Sequence, residues 1–276
     1  MKENLEKPYY EYRINTYITV ALIWGGIVGI ALAVIFTLLE YSTWILILCW
    51  ALGAILLIFG VLWHLSLSFA SDAEKIQQVQ NSFDEQLRAV WDGKGKVLDI
   101  GTGLGRVAIE IGKQFPESEV IGVDTWAKFW GLWGMTKAGA ERNAMMEKVS
   151  DRCTFQYGNA LNLPFRDREF QLVVSTFTFH EIHVPDRTVL FKEVVRVLAP
   201  GGRFMICDAF RSGYKVRNVA ELLKKIEQMG VEDVKYKTFR EVGLNFGVLT
   251  HMISRGAYLS GRKVYKSSQK SEASSQ

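Results

Sequence analysis

The sequence predicts an α/β protein, with a mostly parallel sheet covered by helices on both faces, preceded by two membrane-spanning helices. Two observations support this prediction. Almost all of the strongly apolar sequence lies in two long runs before residue 71. From Lys96 onward, short apolar runs of strand length alternate with longer amphipathic runs, which is typical of a parallel sheet with crossover helices. The 276 residues suffice for one such domain and an additional segment.

The apolar runs have the length of membrane spans. Residues 17–39 form a run of 23 residues without a charge, which as a helix crosses a hydrocarbon core of about 30 Å. A break at 40–43 follows, and residues 44–70 then carry no charge unless His64 is protonated. A signal peptide has a shorter apolar core and is not followed at once by a second span. We therefore expect a transmembrane hairpin at 17–70.

The flanking charges predict the orientation of this hairpin. The turn at 40–43 has no Lys or Arg, whereas basic residues lie on the other side of both spans, at Lys2, Lys7, Arg13, Lys75, Arg88, Lys94 and Lys96. Because such residues favour the cytosolic side, the segment 1–16, both termini and the soluble domain are expected in the cytosol. Three scattered cysteines without metal-ligand spacing fit a reducing compartment, and neither a disulfide nor a metal site is predicted.

A stripe of small residues recurs every four positions in the first span, at Ala21, Gly25, Gly29 and Ala33. Such a stripe permits close helix approach. Its simplest partner is the second helix, along Gly53 and Gly60, and the alternative is a homodimer through the first helix.

The segment 71–94 is predicted to be an amphipathic connector helix. Its apolar residues recur at steps of three and four, at Ile76, Val79, Phe83, Leu87 and Val90. We expect this stripe to pack on the following domain, at 95–262, and a helix lying in the membrane interface is the alternative. The tail at 263–276 is rich in Ser, Lys and Gln and is predicted to be disordered.

A glycine-rich turn follows the first predicted strand of the domain. Its glycines are Gly101, Gly103 and Gly105, and the position at which a dinucleotide-binding turn has its third small residue is Arg106. Asp99, two residues before the turn, suits a ligand bearing an ammonium and a sulfonium better than a pyrophosphate. Asp124 ends the next predicted strand, where a carboxylate can accept from both hydroxyls of a ribose.

Five ordered segments resemble the class I S-adenosylmethionine-dependent methyltransferases. They span residues 97–105, 120–124, 157–165, 170–180 and 194–204, so the resemblance covers about residues 96–210. It implies a Rossmann-like seven-stranded sheet, completed by two further strands at 234–239 and 249–259, and S-adenosyl-L-methionine as the cofactor. The pattern is most similar to the branch that methylates small molecules, quinones and lipids.

The resemblance also implies roles for individual residues. The backbone of Gly101, Thr102, Gly103 and Gly105 would approach the methionine part of the cofactor. Asp99 belongs to the same motif and is also expected to be a cofactor-binding residue. Asp124 would hold the ribose, with Thr125 or Trp126 against the adenine.

The segment after the third strand would contact the adenine ring. Asn159 occupies a position that usually carries Asp and accepts from the adenine amino group, so weaker cofactor affinity is expected. Ala160 would donate its backbone N–H to a ring nitrogen.

Methyl transfer needs a catalytic base only when the acceptor must lose a proton. His180, Glu181 and His183 follow the fourth predicted strand, and His180 is the candidate because of its near-neutral intrinsic pKa. The alternative is that His180 only caps or packs the start of the next helix.

The same segment excludes several acceptors. Residues 175–179 lack the Pro-Pro turn of enzymes that methylate base amines and the Pro-Cys nucleophile of cytosine C5 enzymes, so nucleic acid is not expected. Arsenic would require several thiols. A small or lipid-like acceptor remains, and the predicted hairpin favours one that resides in the membrane.

Two further features agree with a membrane-resident acceptor. The aromatic run 126–133 would wall an acceptor pocket or enter the membrane surface, or else form a helix packed on the sheet. The segment from Arg211 to the end contains 13 basic and 6 acidic residues. This basic excess would attract anionic headgroups, and the alternative is that the charges only form a solvated rim. A catalytically silent cofactor-binding module is the second functional class, and a nucleotide-linked dehydrogenase is the third.

Overall fold

The computed structural model describes residues 8, 10, 14–70, 73–127, 134–210, 214, 218–245 and 256–265. The helices are α1 (Ile14–Leu38), α2 (Thr43–Ala70), α3 (Ala73–Arg88), α4 (Arg106–Gln114), α5 (Lys137–Met146), α6 (Thr188–Val197) and α7 (Val219–Glu227), with a short 3₁₀ helix at Phe179–Glu181. The strands are β1 (Gly95–Ile100), β2 (Ser118–Asp124), β3 (Cys153–Tyr157), β4 (Phe170–Thr176), β5 (Leu198–Asp208), β6 (Val231–Thr238) and β7 (Ala257–Lys263).

The first two helices form an antiparallel hairpin with closely packed backbones. A Cβ added at Gly26 would lie 2.7 Å from the Leu57 backbone nitrogen, and one added at Gly53 would lie 2.9 Å from that of Ile30. Gly29, from the predicted small-residue stripe, faces Gly53 directly. The second helix is therefore the partner of this stripe within the chain, and the homodimer through α1 stays a prediction.

The domain contains a seven-stranded sheet in the order β3-β2-β1-β4-β5-β7-β6. Strands β1 to β5 are parallel, and β7 is antiparallel to both β5 and β6. This arrangement confirms the predicted fold, including its antiparallel margin. We call the side of the sheet at which β1 to β5 end the carboxyl edge, and the opposite side the amino edge.

Each face of the sheet is covered by helices. On one face, α6 and α7 pack on a buried cluster that includes Leu98, Ile100, Phe204 and Leu259. On the other face lie α3, α4 and α5, over a second cluster that includes Val97, Val107 and Met205. Alternate residues of β1 thus point to opposite faces, as expected for a central strand buried on both sides.

The connector α3 packs on the domain through the stripe predicted for it. Phe83 and Leu87 are each 1% exposed, and Val79 packs at the margin of the same cluster. At its C-terminal end, Gln114 of α4 donates to Asp84 over 2.6 Å. The apolar stripe is thus covered by the domain, which argues against the alternative of a helix lying in the membrane interface.

The last strand lies further along the chain than the sequence indicated. Strand β7 spans Ala257–Lys263, whereas the prediction was 249–259, most of which lies outside the described residues. The polar end of β7 belongs to the sheet because Lys263 donates from Nζ to the carbonyl oxygens of Val195 and Leu198. The sequence pattern assigned Lys263 to the disordered tail because its contact with the last turn of α6 is made only in the folded structure.

Candidate functional site

The glycine-rich turn lies at the carboxyl edge, between the end of β1 and the start of α4. All three of its glycines have positive φ angles, of 75° at Gly101, 55° at Gly103 and 83° at Gly105. Added Cβ atoms would collide with the Thr178 side chain at Gly101 and with the Phe155 ring at Gly105. At Gly103 the nearest atom is Met135 Sδ, at 3.4 Å. Gly101 and Gly105 therefore serve packing, and Gly103 is the least crowded of the three glycines.

Asp124, at the end of β2, is held against this turn. Its Oδ2 accepts from the Gly103 amide over 2.9 Å, and its Oδ1 accepts from the Trp126 amide over 2.9 Å. The Gly158 amide donates to the Asp124 carbonyl oxygen, which brings the segment after β3 to the same place. Each carboxylate oxygen has a second lone pair, so the half-buried carboxylate retains capacity for hydroxyl donors.

Trp126 is buried and crosses the turn. Its indole Nε1 donates to the Gly103 carbonyl oxygen over 2.8 Å, and its ring meets that of Tyr157 edge-on at 5.2 Å. Thr125 is exposed. The predicted contact of Thr125 or Trp126 with an adenine stays a prediction, and residues 128–133 of the aromatic run lie outside the described residues.

Asp99 lies beneath the turn on the α4 side. Its side chain is 1% exposed, and its Oδ2 has no hydrogen-bond partner in the part of the chain that the structure describes. Burial raises the pKa of Asp99 to about 7, and the charge of Asp124 adds to this, against the lowering effects of Thr102 and the Ala108 backbone. Asp99 therefore acts on a ligand at most through its charge, and its direct contact with a cofactor stays a prediction.

The residues predicted to contact the adenine follow β3. Asn159 is exposed, and its Oδ1 accepts from the Leu161 amide over 2.9 Å, which closes a tight turn. Ala160 is 9% exposed and packs on the buried cluster below α6. Both lie beside Asp124 through the Gly158 contact, and their predicted roles remain predictions.

His180 lies between two carboxylates at the same edge. Its Nδ1 is 2.6 Å from Asp208 Oδ1 and its Nε2 is 3.0 Å from Glu181 Oε1. Burial lowers the pKa of His180, but the bonds to Asp208 and Glu181 outweigh it and raise the pKa to about 9. The ring is thus protonated at neutral pH and both nitrogens are engaged, so in this arrangement His180 holds a proton rather than removing one.

The segment that carries His180 is joined to the glycine-rich turn. Thr178 packs on Gly101, and Ser175 donates to the Ile100 carbonyl oxygen over 2.7 Å. Phe177 has a φ of 48° and places its ring 6.3 Å from that of His180 and 6.1 Å from that of Phe239. The structure thereby brings together, at one edge, the turn, Asp124 and the imidazolium.

Sequence reasoning missed two residues of this site. Asp208 ends β5, and its neighbour Cys207 pairs with Thr176 at the end of β4. The position of Asp208 at the carboxyl edge therefore follows from the sheet order. Tyr10 lies far outside the matched motifs. Its ring is 4.7 Å from the guanidinium of Arg106, whose Nη2 also donates to the Tyr10 carbonyl oxygen.

The backbone of the turn discriminates between ligand types. The amides of Gly101 and Thr102 donate to the Val123 carbonyl oxygen, that of Gly103 to Asp124, and that of Gly105 to the Thr102 carbonyl oxygen. A pyrophosphate requires free N–H donors, and these four are engaged. A cation bearing an ammonium and a sulfonium requires acceptors and negative charge, which Asp124 and the carbonyl groups provide. The residues of the turn therefore fit S-adenosylmethionine better than a dinucleotide.

Comparison with known proteins agrees with this assignment. Residues 97–202 match the family model of a methyltransferase domain. Demethylmenaquinone methyltransferase of Deinococcus radiodurans is 34% identical over 113 residues, which are 41% of this chain and 42% of that protein. Chloroplastic tocopherol O-methyltransferase of Arabidopsis thaliana is 34% identical over 111 residues, which are 40% of this chain and 29% of that protein. The matched region is thus less than half the length of either relative.

A solved structure supports the fold. Geranyl diphosphate C-methyltransferase of Streptomyces coelicolor has a TM-score of 0.51 and 17% identity, covering 68% of this chain and 80% of that one. The ordered motifs, the seven-stranded sheet and the geometry of the turn agree with one another. The soluble domain of this chain therefore resembles the class I S-adenosylmethionine-dependent methyltransferases in its ordered motifs, and it has their fold.

Proposed function

We propose that this chain is a membrane-anchored methyltransferase that transfers a methyl group from S-adenosylmethionine to a lipophilic, quinol-like or phenolic acceptor. The observation that carries the proposal is the glycine-rich turn with its amides engaged and Asp124 beside it. This turn suits a cationic cofactor and lies next to the segment from Phe177 to His180, where an acceptor would be placed.

The residues of the site explain how the reaction would proceed. When bound, S-adenosylmethionine supplies an electrophilic methyl group on a sulfonium. The protein contributes alignment and exclusion of water, through the turn on one side and the ring of Phe177 on the other. His180, protonated and fixed by Asp208, would donate to an acceptor oxygen once the more exposed Glu181 releases its Nε2. A proton lost by the acceptor would pass to solvent, because the bond to His180 lowers the pKa of Glu181 and makes that carboxylate a poor proton acceptor.

The acceptor class is proposed from the relatives and from the chain itself. The two curated relatives act, by their names, on demethylmenaquinone and on tocopherol. Both are names of lipophilic ring compounds, and this chain carries two apolar helices before the matched region. An acceptor dissolved in a bilayer would be concentrated where such an enzyme resides, since each buried CH₂ contributes roughly 0.8 kcal/mol to its partitioning.

Membrane anchoring is supported by the surface of the hairpin. The spans Thr19–Leu38 and Thr43–His64 are long and apolar enough to cross a bilayer. Their large side chains point outward, with Trp24 61% and Trp44 80% exposed. A core helix of a soluble domain buries such side chains, and a signal sequence accounts for the first helix alone. The Lys- and Arg-free turn at 40–43 supports a cytosolic domain and cytosolic termini, which protease treatment of intact cells carrying terminal tags would test.

The decisive experiment reconstitutes the full-length protein in vesicles that contain a prenylated quinol and supplies methyl-labelled S-adenosylmethionine. We expect label in the quinol fraction. The matched variants are Asp124→Ala and Asp92→Ala, which replace a site carboxylate and an exposed one. Asp124→Ala should weaken binding of S-adenosylhomocysteine at least tenfold, because it removes hydrogen bonds to a charged group worth about 1.5–3 kcal/mol each.

The outcomes separate the functional classes. Unchanged cofactor affinity in Asp124→Ala would contradict the cofactor assignment. Cofactor binding without methylation of any lipid fraction would instead favour the catalytically silent module. Rapid methylation of a water-soluble acceptor by a variant lacking residues 1–70 would reduce the hairpin to a localisation device.

A further inference from the structure

We propose that the carboxyl edge of the sheet, with the glycine-rich turn and His180, faces the bilayer, so that the acceptor enters the site directly from the membrane. The proposal rests on the proposed function for the identity of the acceptor, and on independent geometry for the orientation. That geometry concerns the two points at which the chain passes between hairpin and domain.

The first point is the connector α3, whose direction is fixed by its contacts. Its C-terminal end points towards the amino edge, because Arg88 binds Gln114, the last residue of α4. Helix α4 begins at the turn on the carboxyl edge and runs away from it. Nearer its N-terminal end, the carbonyl oxygen of Val79 accepts from the hydroxyl of Tyr258. Tyr258 pairs with Cys207, one residue before the end of β5, so Val79 lies nearer the carboxyl edge than Arg88 does.

The helix continues beyond Val79 towards the membrane. From Val79 back to Ala73, six residues of helix extend about 9 Å further in the direction of the carboxyl edge. The second membrane helix ends only three residues earlier, at Ala70, which adds at most about 11 Å. The exit from the hairpin is therefore on the carboxyl-edge side of the domain.

The second point is the entry to the hairpin. Tyr10 packs on Arg106, the first residue of α4, and so lies at the carboxyl edge as well. Helix α1 begins four residues later, at Ile14, so at most about 14 Å of chain separates this contact from the first helix. Two separate attachments at the same edge prevent the domain from turning its amino edge to the membrane.

A row of aromatic rings, mostly buried, links the segment beside His180 with α3. The rings of Phe177, Phe239 and Tyr258 follow one another with centroid distances of 6.1 and 5.3 Å, from the segment beside His180 to α3. Val242 and Leu244 pack at the margin of the same cluster. Phe177, Val242 and Leu244 are partly exposed, and a lipophilic ring leaving the bilayer would meet these apolar side chains before it reaches the turn.

Energy transfer from the protein to labelled lipid tests the orientation without any methylation. Single cysteines are introduced as Arg240→Cys at the carboxyl edge and Glu117→Cys at the amino edge, both exposed, in a Cys49→Ala background; the other two cysteines are buried. A donor dye is attached, and the vesicles carry an acceptor dye on the headgroups. Strands of six or seven residues separate the two sites by roughly 20 Å in height. We expect clearly higher transfer from position 240, and equal or reversed transfer would overturn the orientation.

A flexible insertion tests the route of the acceptor. Six Gly-Ser residues between Ala70 and Ala73 should reduce methylation of a vesicle-borne quinol at least tenfold and leave that of a detergent-dispersed quinol unchanged. The same insertion after Ser42, in the turn of the hairpin, is the control and should affect neither. Undiminished activity on vesicles would refute direct entry. If the wild type methylates neither quinol, the proposed function fails, while the energy-transfer result still decides the orientation.

Discussion

The replacement Asp99→Asn tests the burial of the carboxyl group beneath the glycine-rich turn. Burial raises the pKa of Asp99 to about 7, whereas an Asp in an unfolded chain has a pKa of about 3.9. Between these values the folded protein holds a proton that the unfolded chain has released. Because the folded state binds more protons, its stability falls as the pH rises through this window.

The size of the effect follows from the two pKa values. Linkage gives a destabilisation of about 1.5 kcal/mol at pH 5 and about 4 kcal/mol at pH 8. The group is fully buried, so solvent does not screen this contribution appreciably. The amide in Asp99→Asn does not titrate, and an amide left without a partner would add a cost of about 1–3 kcal/mol that is the same at every pH. The diagnostic quantity is therefore the change, between pH 5 and pH 8, in the difference in unfolding free energy between Asp99→Asn and the wild type. This difference should grow by about 2.5 kcal/mol in favour of the variant.

The assay is the apparent Tm of the full-length protein in detergent micelles at pH 5, 6.5 and 8. For a domain of this size, about 2–4 °C accompanies each kcal/mol, so the Tm of Asp99→Asn relative to the wild type should rise by roughly 5–10 °C across the series. Asp92→Asn, at an exposed position, controls for the loss of one carboxylate. A difference that is constant with pH, or that grows towards acid, would refute the buried, protonated Asp99.

Three further predictions concern contacts in the site and the hairpin. Asp208→Asn should lower the pKa of His180 from about 9, because it removes one of the two carboxylates that stabilise the protonated ring against the effect of burial. An unchanged imidazole titration by NMR would contradict this. Gly101→Ala should abolish binding of S-adenosylhomocysteine and lower the Tm through its collision with Thr178, and the added change Thr178→Gly should restore part of both. Gly53→Ile should separate the two membrane helices, whose backbones touch at this position, and increase cross-linking distances between them; an unaltered hairpin would argue against the close packing.

The parts of the site that sequence predicted are those determined by neighbours in the chain. The turn at 101–105 follows β1 directly, and its glycines are required by the local backbone, with positive φ at each. Asp124 ends the adjacent strand, so the sheet order alone brings it to the turn. The pairing of His180 with Asp208, 28 residues apart, and that of Tyr10 with Arg106, 96 residues apart, depend on tertiary packing that no local pattern specifies.

The spacing of the glycines also does not determine which ligand the turn accepts. A G-x-G-x-G turn offers its N–H groups to a pyrophosphate only if nothing else in the protein takes them. Here the Val123 carbonyl oxygen accepts from two of them and the Asp124 carboxylate from a third. The Asp124 carboxylate beside the turn then favours a cation. The identity of Asp124 therefore matters twice, since the same carboxylate that would hold a ribose also withdraws the Gly103 amide from any phosphate.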